Sequence, residues 1–324
     1  MLGQTSEDVA APLGTPSNGA ATLPRRRRSR YSLLTRRDRA VLALIVGIPT
    51  FLCLALIWLP TLASVALSFT NWRGVTPLTD KNFVGLNNYI QLFTTYPFFW
   101  PAVIHNILWL ITLTFIATPI GIFLAVLLDR EMRGTRIYQS AFFIPVVLSL
   151  AIVGFNWEQI YTSQGFLNSI LGHTSSNTAI DFLGNASLNI WAVLVAASWR
   201  HVGYVMVLYL AGLKSVDPTL REAAAIDGAN ARQTFFRVVF PVMRPINIVI
   251  LVITVIESLR AFDIAYIINR GKNGLELLSI LITNNSISEA NLLGFGSAIA
   301  VVLLVVSLVP IVIFLVRTMG RETT

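Results

Sequence analysis

Residues 210–245 read LAGLKSVDPTLREAAAIDGANARQTFFRVVFPVMRP, and the segment changes character twice along its length. Asp217 before Pro218 marks a helix start, because the carboxylate can accept from an early amide and a first turn does not need proline's missing N–H. Leu220, Ala223, Ala224 and Ile226 then give a short helix with a compact apolar surface. Gly228 permits an abrupt change of direction. Phe235, Phe236, Val239 and Phe240 follow before Pro241. The expected structure is two short helices at a bend, with an apolar knob flanked by Arg221, Glu222 and Asp227. Such a knob suits either a groove on another protein or the lipid headgroup layer, and these residues alone leave both open.

Outward from this bend the chain turns strongly apolar. Of its 324 residues, 55% are hydrophobic and only 12% are charged, whereas soluble domains carry about 25% charged residues. A bilayer core about 30 Å thick needs roughly 20 apolar helical residues. Six stretches satisfy this: about 40–69, 102–128, 137–161, 188–213, 243–269 and 294–317. Backbone groups in lipid must be satisfied within the segment, so the expected fold is an all-α membrane protein with six transmembrane helices. Pro49, Pro60, Pro119 and Pro145 lie in or near these spans and predict kinks.

Charge orients the spans. Residues 1–39 hold eight arginines and three acidic residues, so most of the net charge of +8 belongs to this tail. Residues 1–38 read as a disordered basic cytoplasmic tail and 39–324 as the permeating domain, with a cytoplasmic loop at 214–242. The run is not a signal peptide, since no small-residue cleavage site is clearly placed after it. Beside a membrane, the arginine cluster serves topology and anionic headgroups, and nucleic acid is not an expected partner. The tail, 129–136, 213–244 and the C-terminus hold 18 of the 24 basic residues, against four in the opposite loops. Both termini are therefore expected in the cytoplasm, with membrane lipid as the surrounding partner.

The bend also carries a resemblance. EAAAIDGA at 222–229, with Pro241 thirteen residues after Gly228, resembles the EAA loop of ABC importer permeases. LSFTNW at 67–72, FVGLNNYIQLF at 83–93, LAVLLD at 124–129, AFFIPVVLS at 141–149, GFLNSIL at 165–171, FDIAYII at 262–268 and FGSAIAVVLL at 295–304 are similar to its carbohydrate-uptake branch (maltose and glycerol-phosphate type). The resemblance covers about residues 40–318 and implies a type I importer permease in the bacterial cytoplasmic membrane. It further implies that Glu222, Ala223, Ala224, Asp227 and Gly228 form a coupling helix seated in a separate ATPase. The implied partners are a second permease, two ATPase subunits holding ATP and magnesium, and an extracytoplasmic solute-binding protein. One departure stands out: Arg270-Gly271-Lys272-Asn273-Gly274 replaces a common Gly-Gly-Pro stretch, so the outer loop should differ.

No phosphate-binding G-x-x-x-x-G-K-[ST] loop is present, so the energy must come from another chain. Metal chemistry is not expected either, because His105, His173 and His201 are scattered. Charges inside spans cost about 2.5–3.5 kcal/mol each at a helix centre and require an explanation. Glu257, Arg260 and Asp263 would fall within a 120° stripe if the fifth span were one continuous helix. Arg200 and His201 in the fourth span, with Asn156 and Glu158 in the third, are their candidate opposites, and Trp199 is a neighbouring aromatic. These groups form either a solute path or a buried ion-pair network, with Arg260 satisfied by Glu257 or Asp263; His201 reads more readily as structural. An ion-coupled secondary transporter would use the same stripe but has no need of the cytoplasmic knob.

Overall fold

The computed structural model describes residues 35–130, 134–173, 178–288 and 291–319. The expected tail at 1–38 lies outside these residues except for its last four positions. There Thr35 and Asp38 form a reciprocal cap, Asp38 N–H donating to Thr35 Oγ1 at 3.2 Å and Thr35 N–H to Asp38 Oδ2 at 2.9 Å. This cap starts α1 (Arg36–Cys53). Residues up to Ala55 form one unit and Leu56–Thr324 a second. The described side chains of α1 are exposed throughout, although most are apolar, as suits a helix solvated by lipid or by another chain.

In the second unit, α2 (Leu59–Leu67), α3 (Asn87–Thr94), α4 (Phe99–Thr112) and α5 (Thr118–Asp129) come first. After them come α6 (Thr135–Val147), α7 (Leu150–Tyr161), α8 (Phe166–Ile170) and α9 (Ala186–Ser215). The loop after α9 holds α10 (Pro218–Ile226), α11 (Ala231–Thr234) and α12 (Phe240–Val242). The chain ends in α13 (Arg244–Leu259), α14 (Asp263–Asn269), α15 (Leu278–Thr283) and α16 (Leu293–Met319). Among the described residues the only β pairing is an isolated bridge, Thr70 to Phe83.

Three helical runs are long and apolar enough to cross a membrane: Arg37–Leu67, Phe99–Asp129 and Ala186–Ser215. Two further pairs pass only as bent spans, Thr135–Val147 with Leu150–Ile170 at 100°, and Ala231–Val242 with Arg244–Asn269 at 75°. The third predicted span is bent just after Pro145, where a kink was expected, and the 75° bend falls at Met243, where the fifth predicted span begins. At the first break Leu148 turns extended, and Ser149 restarts the helix by accepting from Ile152 N–H at 3.3 Å. The last stretch is a single helix whose described apolar part is Leu293–Val309.

Three prolines follow a widened turn of helix, whereas Pro49 and Pro145 sit inside regular α-helix. Single π turns at Leu54–Trp58, Leu113–Ala117 and Phe235–Val239 are each followed two residues later by Pro60, Pro119 and Pro241. A proline ring collides with the carbonyl four residues back and supplies no donor to it, and a wider turn accommodates both faults.

The inner core gathers Trp109, Leu113, Val153, Val193, Ala197, Ala265 and Leu277 from α4, α7, α9, α14 and the approach to α15. Toward the loop that holds α10, Ala125, Leu128, Met206, Tyr209, Leu213, Val239 and Met243 form a second core. In it α5 and α9 approach closely, because Gly121 presents bare backbone: a Cβ there would lie 2.8 Å from both Val202 O and Val205 Cβ.

Candidate functional site

The loop at 214–242 folds as its sequence directs. Asp217 accepts from Thr219 N–H at 2.9 Å and caps α10, and that hydrogen bond holds its carboxyl below the ordinary carboxylate range. Asp227 is the C-terminal cap, and Gly228 follows at φ +78°, a left-handed conformation that side chains disfavour. Asn230 and Gln233 cap α11 reciprocally. On α10 only Ala224 is buried; Glu222, Ala223 and Asp227 are exposed, and Ile226 is 86% exposed. Phe235, Phe236 and Phe240 stack behind the bend, with ring centroids 5.0–6.4 Å apart. An apolar tip on a firmly capped helix is thus left without a partner among the described residues.

Deeper in the molecule, a cavity of about 200 Å³ is lined by Arg200, Glu257, Arg260 and Asp263, together with Trp109 and Phe262. Phe262 stacks on Tyr266 at 4.8 Å. The four charges do come together, but helical periodicity is not the reason. The helix α13 stops at Leu259, Arg260 caps it, and Asp263 opens α14, so the cavity forms at a break in the span. Side chains from elsewhere capture the carbonyls freed there. Asn106 Nδ2 donates to Ser258 O at 3.1 Å, and the Ser279 hydroxyl donates to Ala261 O.

Glu257 is held by α9. Arg200 Nη1 donates to Oε1 at 3.3 Å and His201 Nδ1 lies 2.9 Å from Oε2. The other ring nitrogen, Nε2, lies 3.2 Å from both Thr118 Oγ1 and Thr254 Oγ1. Thr254 already donates its only hydroxyl proton to Ile250 O at 2.7 Å, so it offers Nε2 a lone pair. Thr118 can donate its hydroxyl to Nε2, and Nδ1–H then donates to Glu257 Oε2. His201, 2% exposed, is a fully partnered network group. The expected pairing of Arg260 with Glu257 or Asp263 does not form: Glu257 is occupied by α9, and among the described residues no carboxylate lies within ion-pair distance of Arg260.

The third span contributes differently. Asn156 is exposed on α7 and Glu158 is half-buried, and neither lines the cavity. Trp199 packs edge-on against Trp157 at 5.8 Å, outside the cavity lining. Sequence reading missed Trp109, Thr118 and Thr254. Thr254 had a usable signal, since it lies three residues before Glu257 on the same helix face. The substituted outer loop is well tied down, with Asn189 Nδ2 donating to Lys272 O and Asn273 O at 2.9 and 3.2 Å and Asn273 Nδ2 to Leu183 O at 3.1 Å.

Comparison with known proteins shows the family of the chain and relatives of its fold. The chain is 34% identical over 267 residues to the osmoprotective compounds uptake permease protein GgtC of Synechocystis, covering 80% of this chain and 91% of that protein. It is 30% identical over 266 residues to the xylose/arabinose import permease protein XacH of Haloferax volcanii, covering 81% and 83% respectively. Its fold matches a chain of the bacterial alginate ABC transporter, crystallised with an alginate pentasaccharide-bound periplasmic protein, with a TM-score of 0.73 at 21% identity over 89% of this chain and 96% of that one. The family described as binding-protein-dependent transport system inner membrane component matches residues 39–323, and the chain belongs to it: it is a multi-pass inner-membrane permease subunit of an ABC importer, with ATP hydrolysis left to another subunit.

Proposed function

We propose that this permease carries a sugar or sugar-like solute, that α10 is the helix it seats in its ATPase, and that the cavity at the broken span belongs to the solute path. The observation that carries the path is the cavity lining. Arg260 and Asp263 are exposed charges that have no ion-pair partner among the described residues, and they line the cavity with Trp109 and Phe262. Hydroxyls take charge-assisted hydrogen bonds from such groups, and the C–H face of a sugar ring packs on an aromatic plane. The uptake of pentoses by XacH and of osmoprotective compounds by GgtC, as their names state, supports the same solute class.

In this reading the chain crosses the membrane six times, the two bent pairs and the last helix each counting once, with both termini in the cytoplasm. It pairs with a second permease, two ATPase subunits binding ATP and magnesium, and a solute-binding protein. Closure of the ATPases would displace α10 and reopen the path on the other face, a shift between two packings of the spans. Glu222, Ala223, Asp227 and Gly228 shape the seat and Ala224 anchors it from beneath. Asn156, Glu158 and Trp199 would then meet solute only in another state of the cycle or through the partner permease.

The test is a mild-detergent pull-down of the tagged chain followed by solute-uptake assays. Glu222→Ala and Gly228→Pro should lose the ATPase, while Arg260→Ala and Asp263→Ala should keep every partner and lose uptake. Retention of the ATPase by both loop variants would refute the seat. Full uptake in both cavity variants would refute the path.

A further inference from the structure

The role proposed for α10 raises the question of how its motion reaches the spans, and one side chain bridges the gap. Arg221, in the middle of α10, donates from Nη1 to Asp129 Oδ2 at 2.7 Å and from Nη2 to Leu213 O at 3.0 Å. Asp129 is the last residue of α5, and Leu213 lies in the last turn of α9. One guanidinium fork thus joins the cytoplasmic helix to the ends of two spans.

The surroundings show what this contact is for. A carboxylate in the last turn of a helix faces that helix's own unpaired carbonyls, which is unfavourable. Asp129 therefore does nothing for α5 on its own account and is stabilised by the cation opposite. Leu213 O is one of the last four carbonyls of α9 and has no partner within its helix. The apolar grip of α10 is small, since its only buried residue is Ala224 and Leu220 and Ile226 point outward. The planar fork fixes two directions at once, whereas a lysine would fix only one.

We infer that Arg221 is a positioning residue, a brace that makes α10 move as one body with the cytoplasmic ends of α5 and α9. This rests on the reading of α10 as the ATPase-seated helix. The brace is not symmetric. Arg130, Arg136 and Lys214 line the same cleft as Asp129 and would re-pair with it if Arg221 were lost. They give Arg221 no acceptor if Asp129 is lost.

The experiment uses the whole complex, isolated with its ATPase and reconstituted in lipid nanodiscs. Spin labels go on cysteines replacing exposed Ala225 of α10 and exposed Leu127 of α5, with Cys53→Ser. The probe is ATP with vanadate, so no solute need be known. Labelled complexes must first co-purify with the ATPase to the wild-type extent. In the otherwise wild-type chain the distance between labels should stay constant when ATP and vanadate are added. In Arg221→Gln and in Asp129→Asn, which is nearly isosteric, it should shift by about 1–2 Å or more, the size of an ordinary helix shift. Arg221→Lys should fall between.

A distance that changes equally in wild type and variants overturns the brace, as does a constant distance in all of them. Loss of the ATPase from Arg221→Gln would overturn it too, making Arg221 part of the docking surface itself. Failure of the underlying reading looks different: Glu222→Ala and Gly228→Pro would then keep the ATPase whatever the labels report.

Discussion

Replacing Glu257 by leucine should destabilise the chain by an amount that its contacts allow to be worked out. His201 loses the acceptor 2.9 Å from Nδ1 while remaining 2% exposed. A buried polar group left unpaired costs about 1–3 kcal/mol. Arg200 loses a bond of 3.3 Å, but its side chain is 21% exposed and partly screened, so roughly 1 kcal/mol is at stake. Burying leucine methyls returns about 1 kcal/mol. The net loss is therefore about 2 kcal/mol, or about 5 °C in melting temperature on the scale of roughly 2–4 °C per kcal/mol for domains of a couple of hundred residues. Glu257→Gln keeps one oxygen for one partner and turns an amide toward the other, so it should fall midway. The assay is a fluorescence melt of the purified complex in one detergent at one scan rate. If Glu257→Leu melts with the wild type, or Glu257→Gln melts below Glu257→Leu, the network is not a structural element and the hydrogen-bond accounting around His201 is wrong.

Packing and caps give further expectations. Gly121→Ala should cost about 1–3 kcal/mol because its new methyl meets Val202 O and Val205 Cβ, neither of which can withdraw. Gly212→Ala should cost less in the same melt, since it meets only the flexible ends of Ile246 and Met243. Gly228→Asn, a residue that tolerates the left-handed region, should retain the ATPase in a pull-down, with Gly228→Val and Gly228→Pro retaining progressively less. Asp217→Ala frees the Thr219 N–H and should weaken ATPase capture, whereas Asp217→Asn, which keeps a side-chain oxygen at the cap, should not. Since the Asp217 carboxyl is held below its ordinary value, its charge contributes above the unfolded value near 3.8 and is lost as pH falls through the folded one. Capture should therefore be flat between pH 6 and 8.

What the sequence displayed was local information, and what it hid was supplied from a distance. Asp217-Pro218 specifies a start through a capping carboxylate and Gly228 a stop through a left-handed backbone, and both lie where expected. The Leu148–Ser149 break had a visible cause in Pro145 and a serine cap. The break at Arg260-Ala261-Phe262 contains no proline or glycine. It is sustained by Asn106 and Ser279, which lie 152 and 18 residues from the carbonyls they cap. A periodicity count that assumes a continuous helix put Glu257, Arg260 and Asp263 on one stripe and so reached the right grouping through the wrong geometry. The choice of partner for Glu257 was hidden for the same reason: Arg260 is near in sequence, but α9 delivers Arg200 and His201 in space.

The two clusters of polar contacts share their supports. Thr118, in the first turn of α5, touches His201, and Asp129, at the far end of the same helix, holds Arg221. On α9, Arg200 and His201 hold Glu257, and the Leu213 carbonyl, thirteen residues further on, accepts from Arg221. At 1.5 Å per residue that is about 20 Å of uninterrupted helix. Between the two clusters, Gly121 lets α5 and α9 lie so close that neither slides without the other. A displacement applied at α10 therefore meets a stiff two-helix beam rather than a flexible loop. The far end of that beam grips Glu257 three residues before the broken span. On the proposed reading, the break is where such a displacement would re-aim Arg260 and Asp263 without unwinding a continuous helix. Among the described residues neither charge has an ion-pair partner, so on that reading neither has to break one at each cycle.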